Sequence, residues 1–216
     1  GIAGNWYSAF ALFAYACGFS FAYVALSAGT GALLLFGAVQ ATMIGYGLWA
    51  GERLRTRQWV GLAFALGGLT WLVLPGVSAP PLRSSLLMLS AGAAWGIYSL
   101  RGRRAGDPTT TTAGNFLRAV PFTATTGVLA FGQFSFEGSG VMYAMLSGAL
   151  TSGIGYILWY AALRELKAAT AAAVQLSVPV IAAMGGIALL GEPLTPRLLA
   201  SSAAVLGGIA LVIVRK

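Results

Sequence analysis

The feature that most limits what this chain can become is its succession of apolar runs, each near twenty residues long and parted only by short turns. A bilayer core about 30 Å thick is crossed by about 20 residues of helix. Inside lipid the backbone must satisfy its own N–H and C=O groups, which an α-helix does within one segment. Eight such runs are read at 5–27, 30–50, 57–74, 82–100, 110–132, 138–163, 168–190 and 196–214. The breakers fall between them: Gly51, the stretch 75–81 with Pro75, Pro80 and Pro81, the Asp107-Pro108 pair, Gly138, and the turn from Gly191 to Pro196. The prediction is an all-α fold, a polytopic transmembrane helical bundle of about eight helices.

Charge points the same way. Only 8% of the residues are charged, where a soluble domain carries about 25%, so lipid must cover much of the exterior. Thirty glycines suit closely packed membrane helices. The net charge of +8 would suggest nucleic acid in a soluble protein, but no basic stripe interleaves with aromatic residues, and nucleic acid is excluded as a partner. The basic residues instead sit at the ends of the runs. Alternate connections hold Arg53, Arg55, Arg57, Arg101, Arg103, Arg104, Arg164, Lys167, Arg215 and Lys216 on one side, against Arg83 and Arg197 on the other. That bias predicts a cytoplasmic C-terminus. The remaining cation, Arg118, lies within a run.

Cys17 is the one cysteine and there is no histidine. An internal disulfide is thereby excluded, as are histidine-based metal sites and general bases. No cofactor is expected. The chain opens on Gly1 without a signal-peptide pattern, and the expectation is that further residues precede it.

An internal repeat organises the chain. Shifted by 140 residues, 26–76 lies over 166–216 without a gap. Gly51-Glu52-Arg53-Leu54 meets Gly191-Glu192-Pro193-Leu194, and Leu66-Gly67-Gly68 meets Leu206-Gly207-Gly208. Leu26, Ala28, Thr30, Ala32, Gly45, Arg57 and Ala63 also find identical partners. The second copy, 77–216, holds five runs, and the first, 1–76, holds three. If the copies are equal, two helices and about 64 residues are absent before residue 1. The expected whole is a ten-helix, five-plus-five inverted repeat, because an odd number of helices per copy makes the copies face opposite ways. Inverted repeats of this kind mark alternating-access transporters with a midplane site.

With these paired turns, each followed about 15 residues later by a Gly-Gly pair, the chain resembles the drug/metabolite transporter superfamily, in particular its EamA-type permeases. The segment from Tyr156 through Tyr160-Ala161-Ala162-Leu163 to Ala168-Ala169 and Pro179 resembles that family too. One departure is that Val39 stands opposite Pro179, so the two halves need not open symmetrically. The resemblance implies a permease for small polar metabolites, often an exporter of amino acids or related compounds; the expected setting is a bacterial inner membrane, with a monomer and a homodimer both open.

Nine side chains are candidates for substrate binding. Arg118 offers a planar fork of donors to a carboxylate; the alternative is a side chain reaching back to the cytoplasmic interface, since an arginine in mid-helix is costly unless it finds a partner. Gln40 and Gln175 carry both donor and acceptor, suited to a zwitterion, or else join helix to helix. Tyr15, Trp95, Tyr98, Asn115, Tyr156 and Trp159 supply apolar walls with polar tips; the competing role for Trp and Tyr is an interfacial belt, as the positions of Trp6, Tyr7 and Trp49 suggest. Pro179 removes a backbone hydrogen bond near Gln175, either for gating or as a packing kink. Gly37, Ala41 and Gly45, like Gly92 and Gly96, read as packing seams. Glu52 and Glu192 end their helices in polar turns and read as structural.

No nucleophile stands beside an intramembrane acid or lysine, and no phosphate loop is present, so neither an enzyme nor an ATP-driven pump is expected. Proton relays use membrane-buried Asp, Glu or His, and movement is expected to be uncoupled or driven by the membrane potential, unless helices before residue 1 supply the acid. The alternative to a transporter is a non-transporting membrane scaffold or subunit.

Overall fold

The structure is a computed structural model that describes residues 3–51, 53–76, 79–102, 107–133, 137–156, 158 and 177–213. Among the described residues there are eight α-helices and no strand: α1 Trp6–Ala22, α2 Ala28–Trp49, α3 Thr56–Val73, α4 Leu82–Gly102, α5 Pro108–Leu129, α6 Gly138–Leu146, α7 Ser177–Leu190 and α8 Pro196–Ile213. By length and mean hydropathy, α2 and α8 qualify as membrane spans.

Local chemistry sets the ends. The side chain of Asn5 accepts from Ser8 N at 2.9 Å and opens α1, and Asp107 does the same for α5 through Thr110 N. Such caps satisfy donors that the first helical turn leaves free. Gly51 after α2 and Gly191 after α7 take φ of +90° and +66°, the left-handed turn that lets a helix stop without a Cβ clash. The run at 138–163 does not continue as a plain α-helix. It passes from α6 into a π-helical segment, Ser147–Ile154. Five of its eight residues are Gly, Ser or Ala, which leaves little side-chain bulk to enforce one helical pitch.

Small residues let the helices touch, because in lipid close van der Waals contact replaces the hydrophobic drive. Gly18 of α1 faces Ala91 of α4, while Gly92 and Gly96 of α4 face Leu35, Ala38 and Thr42 of α2. Gly37 meets Leu69, whereas Gly45 faces open space among the described residues. α3 and α8 run antiparallel and meet along Gly61, Ala65 and Gly68 on one side and Ser201, Ala204, Val205 and Gly208 on the other. Between these seams lies a buried core that includes Leu33, Leu34, Leu72, Met88, Val205 and Ile209.

Polar contacts tie the two ends of the bundle. At one, Gln58 Nε2 donates to Val212 O at 2.9 Å, and Arg101 donates to Ser8 Oγ and Asn5 Oδ1 at 2.9 and 3.0 Å. At the other, Arg197 donates to Trp71 O and Leu74 O. Large apolar side chains such as Trp59, Phe64, Trp71 and Leu199 point outward.

Candidate solute-binding site

Aromatic rings from α1, α4 and the end of the π segment form one group. Trp95 of α4 is its centre, with ring centroids 4.7 Å from Tyr15 of α1, 5.6 Å from Tyr98 one turn on, and 5.2 Å from Tyr156. Tyr15 and Tyr156 share a side-chain hydrogen bond. Spacing explains the assembly: Trp95 and Tyr98 are three residues apart and share a helix face, and Ala91, one turn earlier, is where Gly18 brings α1 close. Stacked and tilted rings of this kind add about 0.5–1.5 kcal/mol per pair beyond burial.

Asn115 of α5 completes the group. It is 2% exposed and Tyr98 3%, and the Asn115 amide donates to Tyr98 Oη at 3.5 Å while its carbonyl accepts from Asn5 N at 2.9 Å. Burial this deep leaves no water to replace those partners, so the amide fixes Tyr98 and the start of α1 together.

Beside the rings lies a cavity of about 730 Å³, within the range of about 300–1,000 Å³ that small-molecule sites occupy. One wall is a stripe of α5: Thr109, Thr112, Ala113, Phe116, Leu117 and Val120. The facing wall is the π segment and the residues just beyond its end, with Gly148, Ala149, Ser152, Gly153 and Tyr156. Tyr156 belongs to both the cavity and the ring group, since its ring lies 5.9 Å from Phe116 and 5.2 Å from Trp95. Glycines keep the π wall thin, and π segments of this kind occur often at functional sites. Thr109, Thr112 and Ser152 supply hydroxyls in an otherwise apolar lining.

The structure therefore brings together Tyr15, Trp95, Tyr98, Asn115 and Tyr156. Arg118 stands one turn beyond Asn115, half-buried, and its Nη1 donates to Gly114 O at 2.9 Å and to Ala3 O at 2.8 Å. Gln40 is buried in α2, on the helix that the other face of α4 packs against. Trp159 and Gln175 lie outside the described residues. Phe116, Thr112 and Ser152 are not among the sequence candidates. Thr109, Thr112, Ala113, Phe116 and Val120 recur at helical spacing, a signal masked by the surrounding apolar run. The cluster of Trp6, Phe10 and Phe13 around Phe122, at 5.6–6.1 Å between centroids, is a separate seam between α1 and α5.

Comparison with known proteins adds a family. Residues 82–214 match the EamA-like transporter family. An uncharacterized protein of Pseudomonas aeruginosa, PA1977, is 58% identical over 97% of this chain and 73% of its own length. The threonine/homoserine exporter RhtA of Escherichia coli K12 is 34% identical over 70% of this chain, and the match spans 53% of that exporter. A solved crystal structure shares the fold, with a TM-score of 0.65 at 20% identity over 96% of this chain and 74% of the other.

Proposed function

The chain belongs to the EamA-like transporter family, and from that premise we propose that it forms a permease for small polar organic metabolites, an exporter of amino acids or related compounds. It is an integral membrane protein. In our reading the end bearing Arg53, Arg55, Arg57 and Arg101 faces the cytoplasm of a bacterium, the C-terminus with it, in keeping with the excess of cations there.

The observation that carries the mechanism is the reciprocity of the α3–α8 seam. A Cβ at Gly61 would meet Gly208, and one at Gly68 would meet Ser201 and Val205. In the repeat, Ser201 is the counterpart of Gly61 and Gly208 that of Gly68. The two contacts are thus exchanged by the shift of 140, and Ala65 with its counterpart Val205 stands between them. A pair of helices related by a half-turn about an axis in the membrane plane would make this pattern. It supports two inverted copies, 1–76 and 77–216, belonging to a five-plus-five plan, that rock about a midplane pathway.

The solute, on this reading, occupies the space beside Trp95 and Tyr156. Rings hold its apolar part, the Tyr156, Thr112 and Ser152 hydroxyls meet its polar groups, and Asn115 holds Tyr98 in place behind them. The exporter of threonine and homoserine among its relatives supports a hydroxylated or otherwise polar amino acid. The test is flux. Full-length protein reconstituted in liposomes is screened with labelled amino acids, threonine and homoserine included. Saturable flux of at least one solute is expected. Folded protein that moves none of a wide panel would favour a membrane scaffold instead.

A further inference from the structure

The first turn of α2 is capped from 164 residues away. Both carboxylate oxygens of Glu192, in the turn between α7 and α8, accept from Ala28 N, at 2.7 and 2.9 Å. Glu192 N in turn donates to Gly186 O at 3.1 Å, folding the turn back on α7. Gly186 is the seat of the carboxylate: a Cβ there would collide with Glu192 Oε2 and come within 3.1 Å of the Ala28 side chain. Next to it Gly29 rests on Ala183. Tyr23, at the end of α1, donates to Ala28 O at 3.2 Å and braces the same residue from the other side.

We propose that Glu192 is a latch that holds this end of the α2–α7 pair shut, and that its release opens the solute pathway there. The proposal rests on the permease reading above. α2 and the helix ending at Leu190 are counterparts in the repeat, so they are the elements whose ends must part on alternate sides of the membrane. Their contact here includes Gly29 against Ala183 and the Glu192 carboxylate seated on Gly186, and a charge-assisted bond to a helix start is made or broken without repacking a core. In the repeat Glu52 is the counterpart of Glu192, and Tyr46 stands where Gly186 does. The latch holds the end that carries Glu192, and in the proposed orientation that end is the exit of an exporter.

The experiment uses full-length protein in liposomes with Cys17→Ala and spin labels at Val24→Cys and Leu189→Cys. These positions are 82% and 84% exposed, so the labels disturb no packing, and they flank the latch on the α1–α2 turn and on α7. The distance between them is measured by pulsed electron resonance, with solute flux assayed in parallel. Glu192→Gln weakens the bond to Ala28, and Gly186→Ala keeps the charge but fills its seat. Both are expected to raise the longer-distance population at least threefold. Should either variant fail to fold, the other decides. Unchanged distances in folded variants would overturn the latch even if flux is normal. A shift in distance in a protein that carries no solute would overturn the permease reading and leave the latch as a conformational bolt.

Discussion

Gly61 and Gly208 meet backbone to backbone where α3 crosses α8, each occupying the place that a side chain on the other would need. Gly67 of α3 and Gly207 of α8, which are paired in the repeat, face open space among the described residues. The same substitution should therefore act in opposite directions at the two kinds of position.

Gly61→Ala and Gly208→Ala are expected to lower stability by about 1–3 kcal/mol, because the new methyl must push the helices apart. Gly67→Ala and Gly207→Ala should be neutral or stabilising by up to about 1 kcal/mol, since alanine is the better helix former. Thermal unfolding in detergent separates the two pairs. Equal losses at all four positions would mean that α3 and α8 do not cross where they are placed.

Trp95 touches Tyr15, Tyr98 and Tyr156, so its removal takes away the centre of the proposed binding wall. Trp95→Ala should reduce apparent solute affinity about tenfold, equivalent to ~1.4 kcal/mol. Trp95→Phe keeps a ring and should recover most of it. Flux measured against solute concentration checks this, and unaltered affinity in Trp95→Ala would move the site away from the cluster.

Arg118 donates to Ala3 O and Gly114 O, which gives it a structural task at the start of α1. Arg118→Gln is expected to cost about 1–3 kcal/mol of stability, the range for lost bonds from a charged donor. Half-saturation by solute should change less than about twofold, far below the 1.4 kcal/mol of a tenfold change. A tenfold rise confined to carboxylate-bearing solutes would instead make the guanidinium a substrate anchor.

These particulars show where the sequence is informative. Apolar runs bounded by Gly, Pro and Asp locate α3 at Thr56–Val73 against an expected 57–74, and α8 at Pro196–Ile213 against 196–214, because helix length in lipid is set by thickness and the breakers are local. The π segment is not legible: Ser147–Ile154 has the hydropathy of its neighbours, and pitch is decided by packing. Tyr15, Trp95, Tyr98, Asn115 and Tyr156 stand out in the sequence for their depth, but depth along a run says nothing of which face a residue takes. Only the structure shows that α4 stands between that group and the helix that carries Gln40. The carboxylate of Glu192 reads as a helix-end residue in the sequence, and its bond to Ala28, so distant in the chain, has no local signature.

Flux should not depend on a proton gradient. Relays for protons use acids or histidines buried in the membrane, and there is no histidine in the chain. Of the described acids, Asp107 caps α5, Glu137 precedes α6 and Glu192 caps α2, so each lies at a helix end. With the membrane potential clamped by potassium and valinomycin, dissipating the pH difference across proteoliposomes is expected to leave the initial rate within about twofold, since none of the described acids sits mid-helix where a proton relay would need it. Changing the potential at constant pH should alter the rate of a charged solute and not that of a zwitterion, whose net charge moved across the field is zero. Abolition of flux by collapsing the pH difference alone would show that a proton is carried with the solute.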